Sequence, residues 1–320
     1  MKRVFNISFW KQKALSLKSR LEQRKAAVEE DLRKSRIRQQ AKVQQSKGVF
    51  AVEIKNHLGI GARLIWCLEI ILFCKEHRLK PSFKFSYNGS DVSEDYFGAF
   101  FQTDKSSGNA DWITIKTIGD LGFAKNYNRE LTLETAHQLI TEYLVLRPEI
   151  TMEVNEFFQQ QLHSEKTLGL HYRNTDKKSE ASPVTYENVL LNLDFALKQH
   201  PELKRIFVSS DDKLFIDFMK RSHLSGLVCM RDDSFRSPDG IAIHERGDVN
   251  KYDINKDAIV NMMILSKCSF VLKTASILSS CSLLFNPEIP FAMLNRPFDN
   301  KLWFPESELL NRVEYAAKNE

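Results

Sequence analysis

From residue 49 onward, short apolar runs and longer helix-forming stretches take turns along the chain, and few architectures accept that rhythm. Residues 49–54 (VFAVEI) read as a strand, 56–61 (NHLGIG) as a glycine-containing turn and 62–77 as a helix, which together make a β-loop-α unit. Residues 84–86 and 112–115 are further strand candidates, and 132–162 supply helix interrupted near Arg147-Pro148. A second series starts at Thr167, with strands at 168–173, 205–209, 226–230 and 270–273 and helices at 186–200, 213–221 and 253–267 between them. Strands alternating with helices of ten or more residues predict parallel sheets covered on both faces, and two such series predict two Rossmann-like lobes that meet near residues 162–166.

The first 47 residues are of another kind. Residues 11–47 contain no Gly or Pro and are rich in Lys, Arg, Gln, Glu and Ala, which predicts a long, mostly solvated helix. Leu17, Leu21, Val28 and Leu32 form an apolar stripe that Arg24 and Asp31 interrupt. Charge divides at the same place: residues 1–48 hold 14 Lys and Arg against 4 Asp and Glu, whereas the rest hold 32 against 37. The net charge of +5 therefore belongs to the arm, and the body is mildly acidic. A nucleic-acid binder is disfavoured on this ground, since the arm carries no recognised base-reading module. Its expected uses are a stalk, self-association, or peripheral contact with an anionic membrane through residues 1–47, where Val4, Phe5, Ile7, Phe9 and Trp10 sit among lysines.

The longest greasy stretch, residues 64–74 (LIWCLEIILFC), is too short to span a bilayer and carries Glu69, so it reads as a buried helix. No clear signal peptide opens the chain. The five cysteines, Cys67, Cys74, Cys229, Cys268 and Cys281, form no C-x-x-C pair and read as reduced thiols, consistent with a cytoplasmic setting.

In parallel sheets ligands bind beyond the carboxyl ends of strands, so the residues after each strand are the candidates. Past the strand at 168 lie His171, Arg173, Asp176 and Lys177, where an arginine can fork onto a phosphate and a lysine adds a point charge. The strand at 205 runs into Ser209, Ser210, Asp211 and Asp212; one carboxylate suits a helix N-cap and the other a ribose or base. The strand at 270 runs into Thr274, Ala275 and Ser276, whose backbone N–H groups and hydroxyls at a helix start would seat an anion. The fourth place is Gly59, Gly61 and Arg63, where glycines allow close approach; without a later Gly this is a poor dinucleotide fingerprint.

The order H-x-R-x-T-D-K, then strand-S-D-D, then D-A-I-x4-I-L-S ending in T-x-S, resembles the fucosyltransferase superfamily that contains nodulation-type and N-glycan-core α1,6-fucosyltransferases and, more distantly, protein O-fucosyltransferases. The resemblance covers about residues 169–286, with a weaker echo at 56–63. It implies a GT-B-like fold with a basic helical extension at 1–47, an acceptor-side lobe at 48–165 and a nucleotide-sugar-binding lobe at 166–320. It also implies an inverting transferase that moves L-fucose from GDP-fucose to a glycan hydroxyl with no cofactor and no metal. By the same resemblance Arg173 holds the β-phosphate, while His171, Asp176, Lys177, Asp211, Asp212, Thr274 and Ser276 shape the donor site. Asn174 stands where relatives often have a second arginine, and Asn261 stands where they have an aspartate, with Asp257 one turn earlier. Glu180 lies one position from the base proposed in core fucosyltransferases. The alternatives are a transferase using another nucleotide sugar and a catalytically silent glycan- or nucleotide-binding homologue. Residues 86–111, rich in Gly, Ser, Asn and Asp, are the candidate acceptor rim.

Overall fold

A computed structural model describes residues 7–87, 95–102, 111–123, 127–173, 179–238, 243 and 249–318, with side chains except at 7–15, 17 and 314–318. Helix α1 (Ile7–Ser46) is the basic arm. At 1.5 Å per residue it is about 60 Å long. Residues 18–29 are all exposed, with Leu21 63% and Val28 59% accessible. The C-terminal part docks on the body: Ile37, Ala41 and Gln44 are buried, and Gln44 exchanges side-chain hydrogen bonds with the backbone of Ala51. Arg33 forks onto Asp120 at 2.7 and 2.9 Å. Burial raises the Asp120 pKa, but hydrogen bonds from Arg33, Thr117 and Lys116 outweigh it and hold the carboxyl at about 2.

The first sheet has the order β2-β1-β3 and is parallel throughout, with β1 at Val49–Lys55, β2 at Lys80–Ser86 and β3 at Ile113–Ile115. Helix α2 (Ile60–Glu76) follows β1 and is apolar nearly all round, so it is buried on most of its surface. The expected helix over 132–162 divides in two. Thr132 caps α3 (Leu133–Tyr143), and Pro148, whose missing N–H costs nothing in a first turn, opens α4 (Pro148–Gln160).

The second sheet has five parallel strands in the order β6-β5-β4-β7-β8. They are β4 (Thr167–Tyr172), β5 (Arg205–Ser210), β6 (Val228–Cys229), β7 (Phe270–Lys273) and β8 (Phe291–Met293). Helices α5 (Tyr186–Gln199), α6 (Lys213–Arg221), α7 (Lys251–Leu265) and α8 (Ile277–Phe285) connect them, and α9 (Glu306–Lys318) ends the chain. The strand expected at 226–230 shrinks to two residues because β6 is an edge strand, paired only with β5. Neither β8 nor α9 was expected from the sequence, because β8 is three residues long and the first turn of α9 is acidic and short of apolar periodicity.

The lobes share one continuous apolar core that runs from Phe50, Ile54 and Leu68 to Ile259, Val271 and Leu283. They also meet through polar contacts: His137 Nδ1 lies 2.9 Å from Leu284 O, and Tyr87 and Asn255 are hydrogen-bonded at 2.9 and 3.1 Å. Among the described residues no helix is long and apolar enough to cross a membrane. All five cysteines are free thiols.

Candidate functional site

In each sheet the first strand in sequence lies centrally, with later strands added on both sides. β1 sits between β2 and β3, and β4 between β5 and β7. Chain direction switches beside such a strand, which leaves a crevice beyond its carboxyl end. The two crevices face one another across a cleft of about 580 Å³. From the first lobe come Leu58, Gly59, Ile60, Gly61, Ala62 and Trp66; from the second come His171, Arg173, Ser209, Ser210 and Asp211, with Glu180 and Asp257 nearby on the wall.

The second wall holds most of the polar chemistry. β4 is buried along its whole length, so Arg173 is its first residue to emerge. Its backbone N–H donates to Thr274 Oγ1 at 2.9 Å, and the N–H of Thr274 donates to His171 O at 3.0 Å. Its guanidinium lies 3.6 Å from Asp211 Oδ2, with both side chains mostly buried. A half-desolvated arginine held in this way presents a charge-assisted fork at fixed geometry, which suits a phosphate.

The two neighbouring aspartates do different work. Asp211 lines the cleft. Asp212 instead caps α6, accepting from the N–H groups of Leu214 and Phe215 and from the hydroxyl of Tyr186 at 2.7 Å. Asp212 is therefore not among the residues that line the cleft, and its acceptor oxygens serve a helix end and a tyrosine.

Thr274 and Ser276, at 1% and 2% exposure, lie beneath the cleft instead of on its wall. The expected anion seat at the start of α8 is filled from inside the protein, because the Ser276 N–H donates to Glu306 Oε1 at 2.8 Å. The Ser276 hydroxyl, also buried, has no hydrogen-bond partner. Arg63 is also displaced from its expected place. It is fully buried and donates to Leu58 O at 3.1 Å and Asn56 O at 2.7 Å, with its guanidinium 4.2 Å from the Tyr87 ring centroid. It braces the glycine loop from behind. Gly61 does show the expected close approach, but to protein: a Cβ there would sit 3.3 Å from the Leu278 backbone, whereas one on Gly59 would meet nothing within 4 Å.

Asp257 joins the wall as a hub. It accepts from Arg231 at 3.1 Å, Ser234 at 2.8 Å, Asn261 at 2.8 Å and the Phe235 N–H at 3.2 Å. Burial raises its pKa, with the Arg231 charge opposing. Asn261 and Asp257 are one helical turn apart and form one hydrogen-bonded pair. Glu180 lines the cleft, and its carbonyl accepts from Phe298 N–H at 2.7 Å, which ties it to the segment that supplies Trp303.

Asp176, Lys177 and Asn174 lie outside the described residues, as does most of the candidate acceptor rim. Among the described residues no group of three or more His, Cys, Asp or Glu is arranged to hold a metal ion. Sequence reasoning missed Arg231, Phe235, Trp66, Trp303 and Glu306. Arg231 and Phe235 follow β6, and the rule that carboxyl ends carry sites could have found them. Nothing local marks Glu306.

No protein-family model matches the chain, and no curated protein does. Solved structures do match. Fucosyltransferase NodZ from Bradyrhizobium aligns with a TM-score of 0.50 at 14% identity, over 75% of this chain and 94% of that one. NodZ α1,6-fucosyltransferase co-crystallised with GDP gives 0.49 at 14% identity, over 79% and 96%. An Arabidopsis thaliana FUT1 mutant in complex with GDP gives 0.44 at 9% identity, over 80% and 72%. At these identities the likeness is one of fold: two parallel-sheet α/β lobes as in the fucosyltransferase NodZ, here preceded by a basic helix.

Proposed function

We propose that the chain is an inverting, metal-independent glycosyltransferase of GT-B type that moves L-fucose from GDP-fucose to a hydroxyl of a glycan acceptor. The observation that carries this reading is Arg173, which emerges from the central strand at the switch point of the second sheet with its backbone fixed by Thr274 and its guanidinium on the cleft. A fold shared with a fucosyltransferase and the motif order around Arg173 support the same reading.

The chemistry is a single displacement. An acceptor oxygen bonds to C1 of the sugar while the bond from C1 to the β-phosphate oxygen breaks, so the configuration at C1 inverts. The hydroxyl proton passes to a carboxylate, for which Glu180 is the candidate on the cleft wall. The electron pair leaves on GDP, and Arg173, helped by Lys177, meets the charge that grows on the β-phosphate. His171 and Asp211 line the donor side, and the Asp257–Asn261 pair offers acceptor and donor atoms to a base. The acceptor enters against the first lobe, where Leu58, Trp66 and the glycine loop give an apolar wall.

Thermal shift with GDP, UDP and dTDP tests the donor. A nucleotide at 100 times its dissociation constant adds about 2.7 kcal/mol of stability. GDP is expected to raise the melting temperature and the pyrimidine diphosphates to leave it unchanged. A larger shift with UDP or dTDP would assign another nucleotide sugar. GDP binding without turnover of GDP-fucose would assign a silent homologue.

A further inference from the structure

Glu306 opens α9, 33 residues after Lys273, yet its carboxylate is buried under the cleft at 5% exposure. Oε1 accepts from Lys273 Nζ at 2.9 Å, from the Ser276 N–H at 2.8 Å and from the Ser280 hydroxyl at 2.6 Å. Oε2 accepts from Lys273 Nζ at 3.2 Å, and Lys273 is itself fully buried. One carboxylate thus grips the last residue of β7 and the first turn of α8.

Between those two grips lie Thr274 and Ala275, and Thr274 is the one that reaches Arg173. Its N–H is on His171 O, and its Oγ1 receives the N–H of Arg173. A carboxylate at a helix N-terminus also satisfies orphan N–H groups and complements the helix dipole. Burying an ion pair is a poor route to stability, since apolar residues of similar volume serve as well or better. What the pair supplies here is orientation, and the turn it orients sits directly beneath the arginine of the cleft.

We propose that Glu306 is a positioning residue for the donor site: by clamping Lys273, Ser276 and Ser280 it fixes Thr274, and through Thr274 the backbone from which Arg173 reaches the diphosphate. This rests on Arg173 being the diphosphate-binding residue. The segment has a second link to the site, since Trp303, three residues before Glu306, lines the cleft.

Two double variants separate orientation from stability. Lys273→Met with Glu306→Gln removes both charges and keeps an acceptor oxygen; Lys273→Met with Glu306→Leu removes the acceptor as well. Amide hydrogen exchange at Arg173 and Thr274 in the ligand-free protein, and GDP affinity by calorimetry, are read well below each melting midpoint. The glutamine pair should stay within about threefold of the parent in both. The leucine pair should exchange these amides at least about tenfold faster and bind GDP at least about tenfold more weakly, the scale of a small misplacement of a binding group. Thr274→Val, which cuts only the last link, should weaken GDP binding by a similar factor, and it keeps the proposal open to refutation if the leucine pair does not fold. A leucine pair with parental exchange and affinity, or a Thr274→Val protein that binds GDP normally, overturns the proposal. A parent protein that does not bind GDP refutes the donor reading instead, and the exchange measurement still decides whether Glu306 positions Arg173.

Discussion

Both lobes begin with a β-loop-α start, and each carries an arginine beyond its central parallel strand. Arg63 lies in the first turn of α2, eight residues past β1, and Arg173 directly follows β4; they have opposite fates. Arg63 turns inward, fully buried, with its donors on the carbonyls of its own loop and its pKa depressed by burial. Arg173 turns outward, with its backbone anchored by a neighbouring strand and its guanidinium on the cleft. The difference teaches that the type of residue at a strand end does not make a site. What decides is whether the backbone or the side chain of that residue satisfies the local hydrogen bonds. In the first lobe the side chain does this through Nε and Nη2, and the guanidinium is buried away from the cleft. In the second, Thr274 holds the backbone of Arg173, and the guanidinium lies beside Asp211 on the cleft wall.

The largest effect should come from Arg173→Ala. Turnover of GDP-fucose, read as released labelled sugar, should fall at least about 100-fold, the scale for removing a key charge stabiliser. The melting temperature should change little. Near-normal turnover would put Arg173 on the same footing as Arg63 and break the comparison.

Arg63→Met should do the reverse. The carbonyls of Asn56 and Leu58 lose their donor and a contact over Tyr87 is lost, so urea unfolding should report a loss of about 2 kcal/mol. GDP affinity at low temperature should stay near parental.

The lobes also differ in their buried carboxyls. Glu69 sits within the apolar helix α2, where burial lifts its pKa to about 7 although Asn128 donates to it. Between the ordinary glutamate value and about 7 the folded state binds the extra proton, so stability is greatest at the acid end of that window and falls as pH rises through it. Glu69→Gln removes this loss. The variant should match the parent near pH 4.5 and exceed it by about 2 kcal/mol at pH 8, a figure discounted from the full shift for residual solvent contact. Asp257, whose pKa burial also raises, lines the cleft. Asp257→Asn should therefore change GDP affinity, and Glu69→Gln should not.

The smallest effect belongs to the glycine loop. Gly61→Ala pushes a Cβ against the Leu278 backbone and should cost about 1 kcal/mol, whereas Gly59→Ala meets open space and should be close to neutral. A Gly59→Ala protein that loses GDP binding would show that this loop cradles the ligand, and the first lobe would then hold more of the site than its apolar wall suggests.

Much of this was legible in the sequence. Alternating periodicity located both parallel sheets, and the rule that sites lie past strand ends found His171, Arg173 and Asp211, all of which line the cleft. That rule reads position along the chain and not direction of the side chain, which is why it also selected Arg63, Asp212, Thr274 and Ser276. Arg63, Asp212, the Thr274 hydroxyl and the Ser276 N–H each meet a backbone or side-chain partner that no spacing reveals. Glu306 was invisible for a different reason. Its role depends on α9 returning beneath β7, a tertiary contact between residues 33 positions apart with no motif to join them.

The most direct test of the central claim is a crystal structure with GDP bound. The account predicts the diphosphate in the cleft between the 58–62 loop and the carboxyl end of β4, with the Arg173 guanidinium within hydrogen-bond distance of the β-phosphate and Arg63 still on the carbonyls of Asn56 and Leu58. GDP seated elsewhere, such as the groove of Arg33, Arg36 and Trp112 along α1, or in the cleft with Arg173 turned away, would contradict it.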